Sequence, residues 1–145
     1  MNTEIIKSHI YNDTNEKAIE YISSVNDEET LYIYSNNYNW DNGFQIPTSI
    51  IHNSACTLSV ALLIFYLADG ITYLESKEKN SNLPEWSLFI KELYNKIINN
   101  TFSKGTVHFS AELSKVQEYK IKKILSDEEL IFITDIPGTD CNILL

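Results

Sequence analysis

Arginine is missing altogether. All 11 basic residues are lysines, and they face 20 acids for a net charge of −9. The guanidinium fork is the preferred group for bidentate contact with phosphate, carboxylate and guanine. An acidic chain without it is a poor candidate for nucleic-acid binding, and no nucleic-acid partner is expected. Glycine and proline are scarce, at four and three residues. A protein built from many hairpins needs more of both, so helices are favoured. Cys56 and Cys141 are the only cysteines, which leaves room for one disulfide and excludes a disulfide framework. Cys56 adjoins an apolar run, where a buried thiol is the ordinary state. That run, 55–68, is the longest, contains Thr57 and Ser59, and falls short of the roughly 20 residues that span a bilayer. Residues 1–7 lack the basic-then-apolar order of a secretory signal. A soluble, reduced, cytoplasmic protein without membrane contact is expected.

What is present fits one domain over residues 1–145. Hydrophobic residues make up 43% and charged residues 21%, which is ordinary globular usage and argues against wholesale disorder. A chain of this length buries about two-thirds of its unfolded surface. Charge is uneven along it. Residues 1–54 hold two lysines against eight acids, and residues 127–145 hold five acids and no lysine. Residues 84–126 reverse the balance, with seven lysines against four acids. The acidic ends can meet the basic middle in the fold, or face a basic partner.

Apolar spacing predicts an all-α fold. A helix runs from about Thr14 to Val25, with Asp13 or Thr14 as cap and Ala18, Ile19, Ile22 and Val25 on one side. A second runs from Asp27 to Asn36, with Asp27, Glu28 and Glu29 at its positive end. Pro47 to His52 reads as a short helix, since proline suits a first turn. Residues 57–68 are apolar on nearly every side and predict a central buried helix, closed by Gly70. Ser76 to Asn82 is polar and reads as a loop. Pro84 opens a helix to about Asn99, and Ser110 caps another to Leu125. The tail is ambiguous. Ser126-Asp-Glu-Glu129 is a capping-box pattern, whereas 130–134 is β-rich; helix is favoured, with a short β segment near 106–110 or 130–136 as the alternative.

Candidate chemistry is thin. His52 and Cys56 have the i,i+4 spacing of two ligands on a helix, but zinc needs three or four. Cys56 with a distant histidine is the one formal nucleophile. Asp41 and Asp69 are a carboxylate pair for a hydrolase, each close to a glycine, although both acids also suit turns and caps. No phosphate loop exists. No catalytic residue, cofactor or metal is expected. The aromatic group Tyr32, Tyr34, Tyr38, Trp40 and Phe44 reads first as core packing and second as a binding hot spot.

Two stretches carry a family likeness. Tyr38-Asn-Trp-Asp-Asn-Gly-Phe-Gln-Ile-Pro47 and Ala61-Leu-Leu-Ile-Phe-Tyr-Leu-Ala-Asp-Gly70 resemble the bacterial domain-of-unknown-function family numbered 4274. The matching positions are Tyr38, Trp40, Asp41, Gly43, Phe44 and Pro47, then Phe65, Tyr66, Asp69 and Gly70. Ser110 to Lys120 also looks like the tail of that family. The resemblance implies a small helical protein and no activity. By analogy of size and charge, the chain is expected to be a protein-binding module, most concretely an immunity protein that neutralises a basic toxin domain. The acids expected at the contact are Asp127, Glu128, Glu129, Asp135 and Asp140, then Glu28 and Glu29. The alternatives are a helical scaffold or regulatory domain, and a hydrolase using Asp41 and Asp69.

Overall fold

The computed structural model describes residues 2–77 and 83–145. Among these residues the chain is all-α. The elements are α1 (Thr3–Asn12), α2 (Asn15–Ser24), α3 (Glu28–Asn36), α4 (Gln45–Ile51), α5 (Leu58–Leu67), α6 (Gly70–Ser76), α7 (Pro84–Ile98) and α8 (Lys115–Ile124). Two 3₁₀ turns, Trp40–Asn42 and Glu128–Ile133, complete the set. Of the loop expected at Ser76–Asn82, residues 78–82 lie outside the described residues.

Helix α5 is the centre. Ser59 through Phe65 are all buried, so it presents no polar face. It packs on α3 and α7, and α2 packs on α4. Burying a Leu, Ile or Phe side chain contributes about 1.5–3 kcal/mol, and α5 supplies several such side chains. Its one buried hydroxyl, Ser59, donates to the Val107 carbonyl at 2.6 Å. That bond fixes the segment after α7 against the core.

Side-chain caps set the starts of α1, α2, α3 and α8. Thr14 Oγ1 accepts from Lys17 N at 3.3 Å, and Asp27 Oδ2 accepts from Thr30 N at 2.9 Å. Helix α8 begins later than expected. Ser114 and Gln117 form a reciprocal capping box, whereas Ser110 donates its hydroxyl to Asp135. Helix α1 was not foreseen, because it buries only Ile6 and its apolar signal is faint.

The tail is helical at 128–133, as a 3₁₀ turn. No strand forms among the described residues. Instead Val107 bridges Thr139 and Phe109 bridges Ile136 as isolated pairs, so extended backbone near 106–110 finds its partner just past the 3₁₀ turn.

Both patterned corners are packed structure. Tyr38 donates to the Gly43 carbonyl at 2.6 Å, Trp40 meets the Tyr38 ring edge-on at 5.2 Å, and Phe44 stacks on Phe89 at 5.1 Å. Gly43 has φ of 88°, as an Asn-Gly turn requires. Pro47 is buried inside α4, which starts two residues before it. The second corner departs from expectation. Gly70 does not close α5; the left-handed residue is Asp69, at φ 62°, and Gly70 opens α6. Asp69 accepts from the Thr72 hydroxyl at 2.8 Å. Gly70 is needed for a different reason: a Cβ there would lie 2.2 Å from the Phe65 ring.

Phe65 is fully buried and packs on Phe132 at 4.6 Å, so its ring has nowhere to retreat. Gly70→Ala therefore lowers stability by about 1–3 kcal/mol, although alanine is the better helix former by about 1 kcal/mol. Urea unfolding that left the midpoint unchanged or raised would contradict this packing.

Candidate functional site

The seven acids expected at a contact surface fall into different environments. Asp127 and Glu128 are exposed on the 3₁₀ turn. Asp135 is exposed but accepts from the Ser110 hydroxyl at 2.9 Å. Asp140 is exposed and accepts from Asn142 N, and Glu29 is half-buried at the start of α3.

Glu129 is not on the surface. It is 5% exposed and sits at the centre of a polar cluster. Its carboxylate accepts from the Tyr94 hydroxyl at 2.6 Å, from Ser126 N at 3.0 Å and from the Lys77 ammonium. Its own N–H returns to Ser126 Oγ, closing the capping box foreseen at that position. Burial alone would push this carboxyl up. The Lys77 ammonium, the Ser126 N–H and the Tyr94 hydroxyl outweigh it and hold the pKa at about 2. The same contact, on top of burial, pushes the Tyr94 phenol up. Glu129 is thus a structural anion joining α6, α7 and the 3₁₀ turn.

Glu28 is likewise engaged. Its carboxylate accepts from Thr57 Oγ1 at 2.7 Å, from Thr106 N at 2.6 Å and from Thr106 Oγ1 at 2.9 Å. Burial works against the charge, but these bonds prevail and lower its pKa. Gly105, at φ 69°, lets the loop approach: a Cβ there would lie 2.3 Å from Glu28 Oε2.

Three further acids, Glu29, Glu112 and Asp140, act electrostatically on Tyr32 or Cys141. Burial pushes the Cys141 thiol up, and the charges of Glu29, Asp140 and Glu28 add to it. Tyr32 is raised to about 12 by burial, then by Cys141, Asp140 and Glu112. The Tyr32 hydroxyl donates to Asn142 Oδ1 at 3.2 Å, Asn142 N donates to Asp140, and Glu29 lies one turn before Tyr32 on α3. Glu112, from the loop before α8, lines one hollow with Tyr32 and Asn142. Glu112 carried no local signal that it belongs here; only the fold reveals it. This hollow is a groove of about 330 Å³. Leu63, Leu67, Ile71 and Leu113 give it an apolar floor, with His108 and Glu112 on its walls.

The other candidates are scattered. Asp41 lies on the first 3₁₀ turn and Asp69 at the α5–α6 corner, and both are exposed with different neighbours. His52 follows the end of α4 and contacts Glu92 at 2.5 Å, whereas the Cys56 thiol is buried and raised by that burial. A nucleophilic thiol needs the opposite shift. Cys56 and Cys141 are both free. Among the described residues, no three of His, Cys, Asp and Glu converge as a metal site would require. No single helix there is long and apolar enough to cross a membrane. The pair α5 and α6 passes by length and composition together, but is bent by 79°, and most of α5 is covered by the core.

Glu129 gives a pH signature. Its folded pKa lies below the ordinary 4.5, so its contribution is complete above that value and disappears as pH falls toward about 2. The wild type should lose stability between about pH 5 and pH 2 through this group. Glu129→Gln should be less stable by about 2 kcal/mol at pH 7 and lack that part of the acid slope. Urea unfolding across the range decides it; parallel curves for both proteins would refute the role.

The family model described as Domain of unknown function (DUF4274) matches residues 26–98. The match runs from just before α3 to the end of α7 and contains both patterned corners, while the Ser110–Lys120 stretch lies beyond it. No curated protein and no solved structure matches the chain. With half of its length under the family model, the chain belongs to the DUF4274 family.

Proposed function

We propose that the chain is a non-catalytic, cytoplasmic protein-binding module, most concretely an immunity protein that binds and blocks a basic toxin domain. One observation carries this reading. Glu112 lines an apolar groove with Tyr32 and Asn142, Asp140 is bonded to Asn142 N, and Glu29 lies one turn before Tyr32 on α3. Negative charge next to exposed apolar area suits a basic surface that carries an apolar anchor. The net charge of −9 steers such a partner by long-range attraction, and contact at the groove then blocks its working face. Asp127 and Glu128 remain available to widen the attractive field, whereas Glu129 and Glu28 serve the fold.

The test is capture of partners from the native cell by the wild type and by a variant with Glu29→Lys, Glu112→Lys and Asp140→Lys. The wild type should retain a basic protein whose toxicity it suppresses on co-expression. The variant should associate at least about tenfold more slowly near 0.1 M salt while still unfolding in one cooperative transition. A retained protein that binds both baits at equal rates would remove the acids from the interface, and a captured protein of acidic character would overturn the reading.

A further inference from the structure

Helix α8 is the basic element of an acidic molecule. Its ten residues carry Lys115, Lys120, Lys122 and Lys123 against Glu118, and only Ile121 is buried. At 100° per residue, Lys115, Val116, Tyr119, Lys120 and Lys123 share the arc opposite Ile121. Val116 and Tyr119 are each 63% exposed in the middle of that arc. Lys123 lies over the Tyr119 ring at 4.4 Å, and Lys122 pairs with Glu118 at 2.8 Å. Among the described residues no ion pair joins Lys115, Lys120 or Lys123 to a carboxylate. Tyr119 supplies the aromatic anchor that contact hot spots favour, and the lysines around it supply the charge that selects an acidic counterpart.

We propose that this face docks on a second copy of the same chain, with Tyr119 entering the groove beside Tyr32 and the lysines meeting Glu112, Asp140 and Glu29. The complement is already part of the molecule. The groove, about 330 Å³, has an apolar floor that takes a phenol ring, and its lining contains Glu112 and no lysine. Neither Glu29, Glu112 nor Asp140 takes part in an ion pair among the described residues. Each copy therefore presents unpaired lysines around an aromatic anchor and unpaired acids around an apolar groove, and association satisfies both.

Charge also separates a second copy from other anionic partners. A polyanion such as nucleic acid or an anionic lipid surface repels the whole molecule, which carries −9 and no guanidinium. A second copy repels it too, but that repulsion acts between centres some tens of ångströms apart. Salt screens it well before it screens pairs in contact at about 4 Å. The contact is thus strongest at intermediate ionic strength. At about 0.01 M the Debye length is about 30 Å and repulsion dominates; near 0.1 M it is about 10 Å and the local pairs prevail; toward 1 M those pairs are screened as well.

The contact stands apart from the partner reading, although it occupies the same acids, so a basic partner displaces the second copy. Sedimentation equilibrium of the full chain at these three salt concentrations tests it. The weight-average mass should exceed the 16.7 kDa monomer near 0.1 M and return toward it at both extremes. Lys120→Glu with Lys123→Glu should weaken association at least about tenfold, as should Glu112→Lys with Asp140→Lys; mixing the two variants should restore it. All four side chains are exposed, so folding is preserved. Tyr119→Ala should weaken association about tenfold at constant charge. A wild type that stays monomeric near 0.1 M, or variants that fail to recover on mixing, overturns self-association and leaves the partner reading standing. Binding of the basic face to anionic vesicles or DNA by a monomeric wild type would overturn it equally.

Discussion

A helix without a polar side must be covered on every side. That requirement, imposed by residues 59–65 of α5, organises the rest of the chain. Helices α3 and α7 cover two flanks. The extended backbone at 106–109 covers another, because the Ser59 hydroxyl has to reach an acceptor and Val107 O supplies it. Once that segment is in place, its outer edge pairs with residues 136 and 139, and the tail is carried back over the core. Phe132 then closes against Phe65 and Tyr94.

The acids divide by the same geometry. Where a carboxylate faces the core it is retained as an ion by several donors, as at Glu129 and Glu28, and its pKa falls despite burial. Glu112 and Asp140 face outward and pair with no lysine among the described residues, whereas Glu118 takes Lys122 from its own helix. The lysines are concentrated on α8 instead, on a helix attached through one buried side chain. Charge is thus segregated rather than neutralised in place. Such a distribution contributes little to stability and much to association.

Much of the helical frame was legible because its signals are local. The all-round apolar character of 57–68, the Thr14 cap, the Asn42-Gly43 turn and the Ser126–Glu129 box each lie within a few residues, and each appears as read. What failed depended on distant partners. Asp127, Glu128 and Glu129 are indistinguishable as text, yet only the third turns inward, because Lys77 and Tyr94 wait there. Gly70 reads as a helix stop, but its missing side chain answers to the Phe65 ring. Ser110 reads as the cap of α8, but Asp135 claims its hydroxyl and the helix starts from Ser114. The acids that act on Tyr32 come from residue 140 and the loop before α8, and no sequence spacing joins them to α3. The family match covers α3 to α7 and so says nothing of α8 or the tail, where half of the proposed surface lies.

The Glu28 carboxylate ties the beginning of α3 to Thr57, just ahead of α5, and to Thr106, 78 residues further along. Loop closure over 78 residues costs more entropy than closure over the 29 that separate Glu28 from Thr57, so length alone favours making the α3–α5 contact first. A bond made late in that order would act as a latch, felt mainly in how fast the finished fold opens.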